Sequence, residues 1–208
     1  MRVFDVYSRD YDRWYEENRY VYFSELRALR CVVPKKGIGL EIGVGTGRFA
    51  KPLGVSVGID PSENMLKIAK ARGLKGFIGT GEKLLFKNEE YDYVLLVITL
   101  CFVKNANKVI SEARRVLKEN GKLIIGIVDR NSFLGKIYQE KKEKKDKFYK
   151  DVNFFSAGEV IELFKKHNFE SIATFQTIFK PLNEMRNIEK PKKGFGEGGF
   201  VVICGKKN

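Results

Sequence analysis

The chain has 208 residues, with 39 lysines and arginines against 26 aspartates and glutamates and a formal net charge of +13 at pH 7. That length suits one α/β domain with a single core, and Cys31, Cys101 and Cys204, widely separated and without a CxxC pair, fit neither a disulfide framework nor a zinc site, so no metal site is expected. The first ten residues hold no apolar signal core, and no later apolar run nears the roughly 20 residues of a bilayer span, so a soluble, cytoplasmic protein with reduced, buried thiols is expected. The basic balance has two readings: an anionic partner, or the Lys- and Glu-rich surface of a thermophile, in keeping with Gln139 and Gln176 being the only glutamines.

In chain order, Tyr7, Tyr11, Trp14 and Tyr15 come first and share one face of an amphipathic helix. This helix suits either a lid over a ligand site or a terminal helix packing its aromatics on a sheet. A strand over Ile38 to Ile42 then runs into Gly43-Val44-Gly45-Thr46-Gly47, whose alternate glycines let a ligand approach bare backbone at the start of a following helix. The spacing is GxGxG; Arg48 stands where the dinucleotide fingerprint GxGxxG needs its last glycine.

Further strands are expected over Val55 to Asp60, Gly76 to Gly79, Tyr91 to Ile98 and Lys122 to Val128, the last two as continuous apolar runs covered on both faces. Between them, Ser62 caps a helix burying Met65, Leu66 and Ala69. A second helix from Ala106 buries Val109, Ile110, Ala113, Val116 and Leu117 and stops at Asn120-Gly121. A third, after Ser156, turns Val160, Ile161, Leu163 and Phe164 inward and ends near His167-Asn168. Strands over Phe169 to Thr177 and Gly199 to Cys204 complete an alternation that predicts an α/β fold on a mostly parallel sheet.

Ligands of such sheets bind outside the carboxyl ends of the strands, so the glycine loop, Asp60, Gly81-Glu82 and Val97 to Thr99 should converge. Asp60 is placed to accept hydrogen bonds from two ribose hydroxyls. The runs LEIGVGTG, VGIDPSENML, FIGTGEKLLF, YDYVLLV, EARRVLKENGKLIIGIVD and FFSAGEVIELFKKHNF, from about Gly37 to Phe169, resemble the successive motifs of class I S-adenosylmethionine-dependent methyltransferases. The similarity is closest to the branch that includes ubiquinone and menaquinone biosynthesis enzymes and other small-molecule methyltransferases.

The resemblance implies a three-layer Rossmann-like fold with seven strands in the order 3-2-1-4-5-7-6, only the seventh antiparallel, and S-adenosylmethionine as cofactor. Glu41, Gly43, Val44 and Gly45 then line its methionine end, with Tyr11 closing over them. Asp60 holds the ribose, Pro61 and Met65 lie near the adenine, Gly81 and Glu82 contact it through backbone, and Val97 sits beside the sulfonium. Thr80 departs from a frequent acid and Leu85 from a frequent proline. Residues 1–208 are read as a single methyltransferase domain, with 1–36 a helical lid and 130–153 a basic insertion near the substrate side.

Methyl transfer from a sulfonium needs positioning more than acid-base groups, so the lack of a catalytic triad is no objection and no catalytic residue is assigned. His167 reads as a helix terminus and Cys101 as core. Because Val97 to Cys101 lack the Asp/Asn-Pro-Pro-aromatic run of base-amine methyltransferases, that subclass is disfavoured. The expected acceptor is a small molecule, and the basic stretches Lys136 to Lys150 and Lys180 to Lys207 make an anionic one the working hypothesis. The rival for Lys136 to Lys150 is a solvated face. RNA or protein acceptors and a non-catalytic S-adenosylmethionine-binding module stay open, while Arg48 disfavours an NAD-dependent oxidoreductase.

Overall fold

The computed structural model describes residues 2–208. Eight strands form one sheet: β1 (Gly39–Ile42), β2 (Val57–Asp60), β3 (Lys75–Ile78), β4 (Tyr91–Val97), β5 (Leu117–Val128), β6 (Phe169–Thr177), β7 (Lys192–Lys193) and β8 (Phe200–Lys207). Their order is β3-β2-β1-β4-β5-β8-β6-β7. The first five strands pair in parallel, and β8 runs antiparallel between β5 and β6. The expected seven-strand order is therefore present, with one correction: the two-residue β7 adds an eighth strand outside β6. Nothing apolar marks Lys192 and Lys193 as a strand. They are held there because the chain folds back, with Gln176 Oε1 accepting from the amides of Glu197 and Gly198 at 2.9 and 2.8 Å.

Alternate side chains of the central strands enter two cores. Val94 and Leu96 of β4 join Leu40, Ile42, Leu123 and Ile125 under α5 (Ala106–Val116) and α7 (Ala157–Lys166). Leu95 and Val97 face the other way, into a core with Leu26 and Leu29 of α3 (Arg19–Leu29). Both faces of the parallel strands are thus covered, as their uninterrupted apolar sequence requires. The helix α4 (Glu63–Ala71) is capped by Ser62, whose Oγ accepts from Met65 N. Ser156 and Glu159 form a reciprocal capping box on α7.

Three local expectations need correction. The glycine loop does not open a regular α-helix: it passes through turns into a 3₁₀ helix at Lys51–Leu53, where Pro52 has no amide to donate. Helix α5 ends at Val116, before Asn120-Gly121. Leu117 already pairs with Tyr91, and its carbonyl accepts from the buried Lys207 Nζ at 2.7 Å, so tertiary partners replace the last helical turn. Asn120 does adopt a positive φ of 63°, but in the irregular start of β5. Of the three thiols only Cys204 is buried; Cys31 is exposed and Cys101 intermediate.

The N-terminal segment forms α1 (Arg2–Val6), α2 (Ser8–Glu17) and α3, and α6 (Phe133–Glu143) follows β5. Among the described residues no helix is long and apolar enough to cross a membrane.

Candidate functional site

A cleft of about 780 Å³ opens at the carboxyl ends of β1, β2 and β4. It brings together nine of the expected residues: Tyr11, Gly43, Gly45, Asp60, Pro61, Met65, Gly81, Glu82 and Val97. Asp60 is nearly buried, and its two carboxylate oxygens accept from Gly45 N at 2.9 Å and Ser62 N at 2.8 Å. Burial raises its pKa and the two amide bonds pull it back only in part. These bonds tie the glycine loop to the end of β2 and leave lone pairs free for hydroxyl donors.

Glu41 and Val44 lie off the lining. Strand alternation turns Glu41 behind the loop, 1% exposed, with one oxygen, Oε2, lacking a partner among the described residues. Burial pushes its pKa well up, against a hydrogen bond from the Ala50 amide. Val44 packs on Gly58, where an added Cβ would lie 2.5 Å from that of Val44. Glu82 Oε1 accepts from Lys104 N at 2.8 Å and so fixes the turn before α5. Burial raises its pKa, but the amides of Glu82 and Lys104, the Thr80 side chain and the Asn105 amide outweigh that and hold it low.

The N-terminal helices are bolted over this cleft by residues that sequence reading missed. Asp12 of α2 accepts from Arg48 Nε and Nη2 at 2.8 Å each, from Arg72 Nη2 at 2.7 Å and from Thr46 Oγ1 at 2.7 Å. Arg48, the residue that breaks the dinucleotide fingerprint, is thus a fork between the loop and α2. Upstream, Asp5 Oδ1 accepts from Ser62 Oγ at 2.7 Å and from Asn64 N at 3.1 Å, a second tether at the start of α4. The signal for the first lay in the acid-aromatic mixture around Tyr11, but pairing across 36 residues leaves no local pattern.

Beside the cleft lies a chamber of about 160 Å³. The two share Phe4, Tyr11, Ile98 and Phe102 as a common wall. Ile98 has φ of +53°, an outlier for a β-branched residue that costs about 1–3 kcal/mol. Its amide donates to Gly126 O at 2.8 Å, so the sheet holds it in that strained state between the cavities.

Most of the rest of the chamber comes from α2, α3, α6 and the segment after α6, and includes Trp14, Tyr15, Glu25, Tyr138, Phe148, Tyr149 and Phe154. The basic stretch 136–150 therefore contributes rings rather than charge. Its lysines are exposed and none lines either cavity. Stripping an ammonium of water costs far more than turning the aromatic residues inward. His167 caps α7 against Asn107 and is on neither lining.

Residues 40–125 match the family model described as a methyltransferase domain. The crystal structure of a Thermotoga maritima protein, described as a SAM-dependent methyltransferase and possible histamine N-methyltransferase, is 47% identical, spans 100% of this chain and 99% of its own, and superposes with a TM-score of 0.96. The chain belongs to the class I S-adenosylmethionine-dependent methyltransferases. An uncharacterized protein of Methanocaldococcus jannaschii is 55% identical over the full length of both chains. A demethylmenaquinone methyltransferase of Geobacillus kaustophilus is 27% identical over 97% of this chain and 88% of its own.

The methyltransferase loop fits that cofactor on its own geometry. Gly45 has φ of +52°, and an added Cβ there would meet only Tyr11 Cε1, at 3.8 Å, so the loop leaves open space where a ligand can touch backbone. In Gly45→Ala the positive φ costs about 1–2 kcal/mol, a melting shift of roughly 2–4 °C per kcal/mol. The new methyl group occupies the approach to the loop, so S-adenosylhomocysteine affinity is expected to fall on the order of tenfold. Calorimetry giving an unchanged Kd would place the ligand elsewhere.

Proposed function

We propose that this methyltransferase transfers the methyl group to a small molecule held in the aromatic chamber, with residues 1–208 working as one domain and the helices of 1–36 as its lid. The observation that carries this reading is the wall common to the two cavities, Phe4, Tyr11, Ile98 and Phe102, which sets an aromatic acceptor space directly against the cleft. On this reading Asp60 holds the ribose hydroxyls, Pro61 and Met65 flank the adenine, and Gly81 and Glu82 meet it through backbone. Tyr11, Gly43, Gly45 and Val97 surround the methionine end, while Glu41 and Val44 support the loop from behind.

When bound, the donor supplies a methyl group on a sulfonium, which needs little chemical help beyond alignment. The chain contributes that alignment and the exclusion of water: α2 covers the loop, and the strained Ile98 borders both spaces where the acceptor would meet the methyl group. Room for on the order of ten waters suits a low-molecular-weight acceptor. Among the relatives, one is described as a possible histamine N-methyltransferase and another is named a demethylmenaquinone methyltransferase.

The test supplies methyl-labelled S-adenosylmethionine together with a low-molecular-weight cell extract, total RNA or total protein. Label is expected in the small-molecule fraction. Label in RNA or protein alone would overturn the acceptor class, and NADH binding in place of S-adenosylhomocysteine would overturn the donor.

A further inference from the structure

The lining of the acceptor chamber contains one carboxylate in a setting that its own fold leaves unfinished. Glu25 of α3 is 2% exposed, and its Oε2 has no hydrogen-bond partner among the described residues. Burial alone pushes its pKa up to about 8, with no hydrogen bond or cation to offset it. A buried carboxyl without a partner costs stability that a purely structural core position would shed by becoming apolar. Around it stand electron-rich rings: Tyr138 and Tyr149 are stacked with centroids 4.8 Å apart, and Tyr11 and Tyr15 meet edge to face at 5.3 Å. The outer side of the same stack already holds a cation, since Lys141 Nζ lies 5.1 Å from the Tyr138 centroid and 5.7 Å from that of Tyr149.

We propose that the chamber is an organic-amine site, in which the protonated nitrogen of a small aromatic amine lies among the tyrosine rings and pairs with the Glu25 carboxylate. The inference rests on the reading of this chamber as the acceptor site. It replaces the anionic acceptor expected from composition, because an anion here would meet a carboxyl and no lysine or arginine on the lining. Ring faces attract ammonium groups within about 6 Å, and more strongly when water is excluded. Once ionised, Glu25 supplies the full counter-charge, and no cation of the described residues is there to share it.

Binding should also move a proton. The titratable neighbours on the lining are Asp10, which is exposed, and Tyr11, Tyr15, Cys101, Tyr138 and Tyr149, all pushed upward by burial and so uncharged at pH 7. Free Glu25 is mostly protonated at that pH, and pairing with an ammonium ionises it, so close to one proton is released for each amine bound.

The probes are 2-phenylethylamine, 2-phenylethanol and 3-phenylpropionate, titrated at pH 7 into the full chain with S-adenosylhomocysteine bound. Calorimetry in two buffers of different ionisation enthalpy counts the protons. Quenching of Trp14, the single tryptophan and a chamber residue, reports occupancy. The amine is expected to bind at least on the order of tenfold tighter than the alcohol or the acid. Glu25→Gln should lose that preference and the proton release while keeping the Kd for S-adenosylhomocysteine.

An amine that does not bind, an alcohol or acid that binds as well, or a Glu25→Gln variant that still prefers the amine and releases a proton overturns the proposal. Loss of S-adenosylhomocysteine binding in the wild type would instead overturn the donor reading, and Trp14 quenching by the amine can still be read in its absence.

Discussion

Asp60→Ala is expected to remove most of the affinity for S-adenosylhomocysteine while leaving a folded protein. A hydrogen bond to a charged group contributes about 1.5–3 kcal/mol, so two ribose hydroxyls on one carboxylate correspond to roughly 3–6 kcal/mol. That is a loss on the order of a hundredfold to ten-thousandfold in Kd. The same carboxylate accepts from Gly45 N and Ser62 N, so part of the loss comes through a glycine loop no longer tied to β2. Ser62→Ala separates the two contributions. It removes the cap of α4 and the Ser62 bond to Asp5, costing about 1 kcal/mol of stability, yet it leaves the Asp60 carboxylate in place and should bind the ligand nearly as the wild type does. Calorimetry on both variants decides the matter, and an Asp60→Ala protein with unchanged Kd would contradict the ribose role.

The cleft was legible in the sequence because its parts are local: a glycine at alternate positions of one loop, an acid at the end of one strand, a Gly-Glu pair after the next. Each can be read within a window of a few residues. The chamber was not legible, for a different physical reason in each piece. Tyr11 and Trp14 share a helical face, which fits core packing as well as a lid. Tyr138 and Tyr149 sit inside a lysine-rich stretch whose charge dominates any compositional reading, although the lysines point to solvent and the rings point inward. Glu25 is one acid in a mixed helix, and its burial exists only once α2, α6 and the β4 end have closed around it. Strand order followed from motif succession, whereas β7 and the early end of α5 depend on partners far along the chain, Gln176 and Lys207.

Asp12→Ala is expected to unlatch the N-terminal helices. The carboxylate serves Arg48, Arg72 and Thr46 at once, and both arginine side chains are largely covered, 15% and 26% exposed. Removing it leaves two half-buried guanidinium groups short of a partner, a cost of roughly 2–3 kcal/mol after allowing for solvent screening. Burial works to raise the Asp12 pKa, but the bonds from Arg48, Arg72 and Thr46 overcome it and hold the group far below its ordinary 3.8. An acid lowered by folding stabilises the fold fully above its unfolded value and loses that contribution as pH falls through the folded one. The stability gap between wild type and Asp12→Asn, measured by urea unfolding, should therefore be constant from pH 5 to 8 and narrow below about pH 4. The consequence follows from position: α2 carries Tyr11, which lines both cavities, so loosening the helix opens the wall between the cleft and the chamber. Hydrogen exchange should show the α2 amides, residues 8–17, exchanging faster in Asp12→Ala while those of β4 stay protected. If α2 exchanges no faster, the latch is not Asp12, and the helix is held by the Glu16–Arg48 pair, the Asp5 tether and its aromatic contacts.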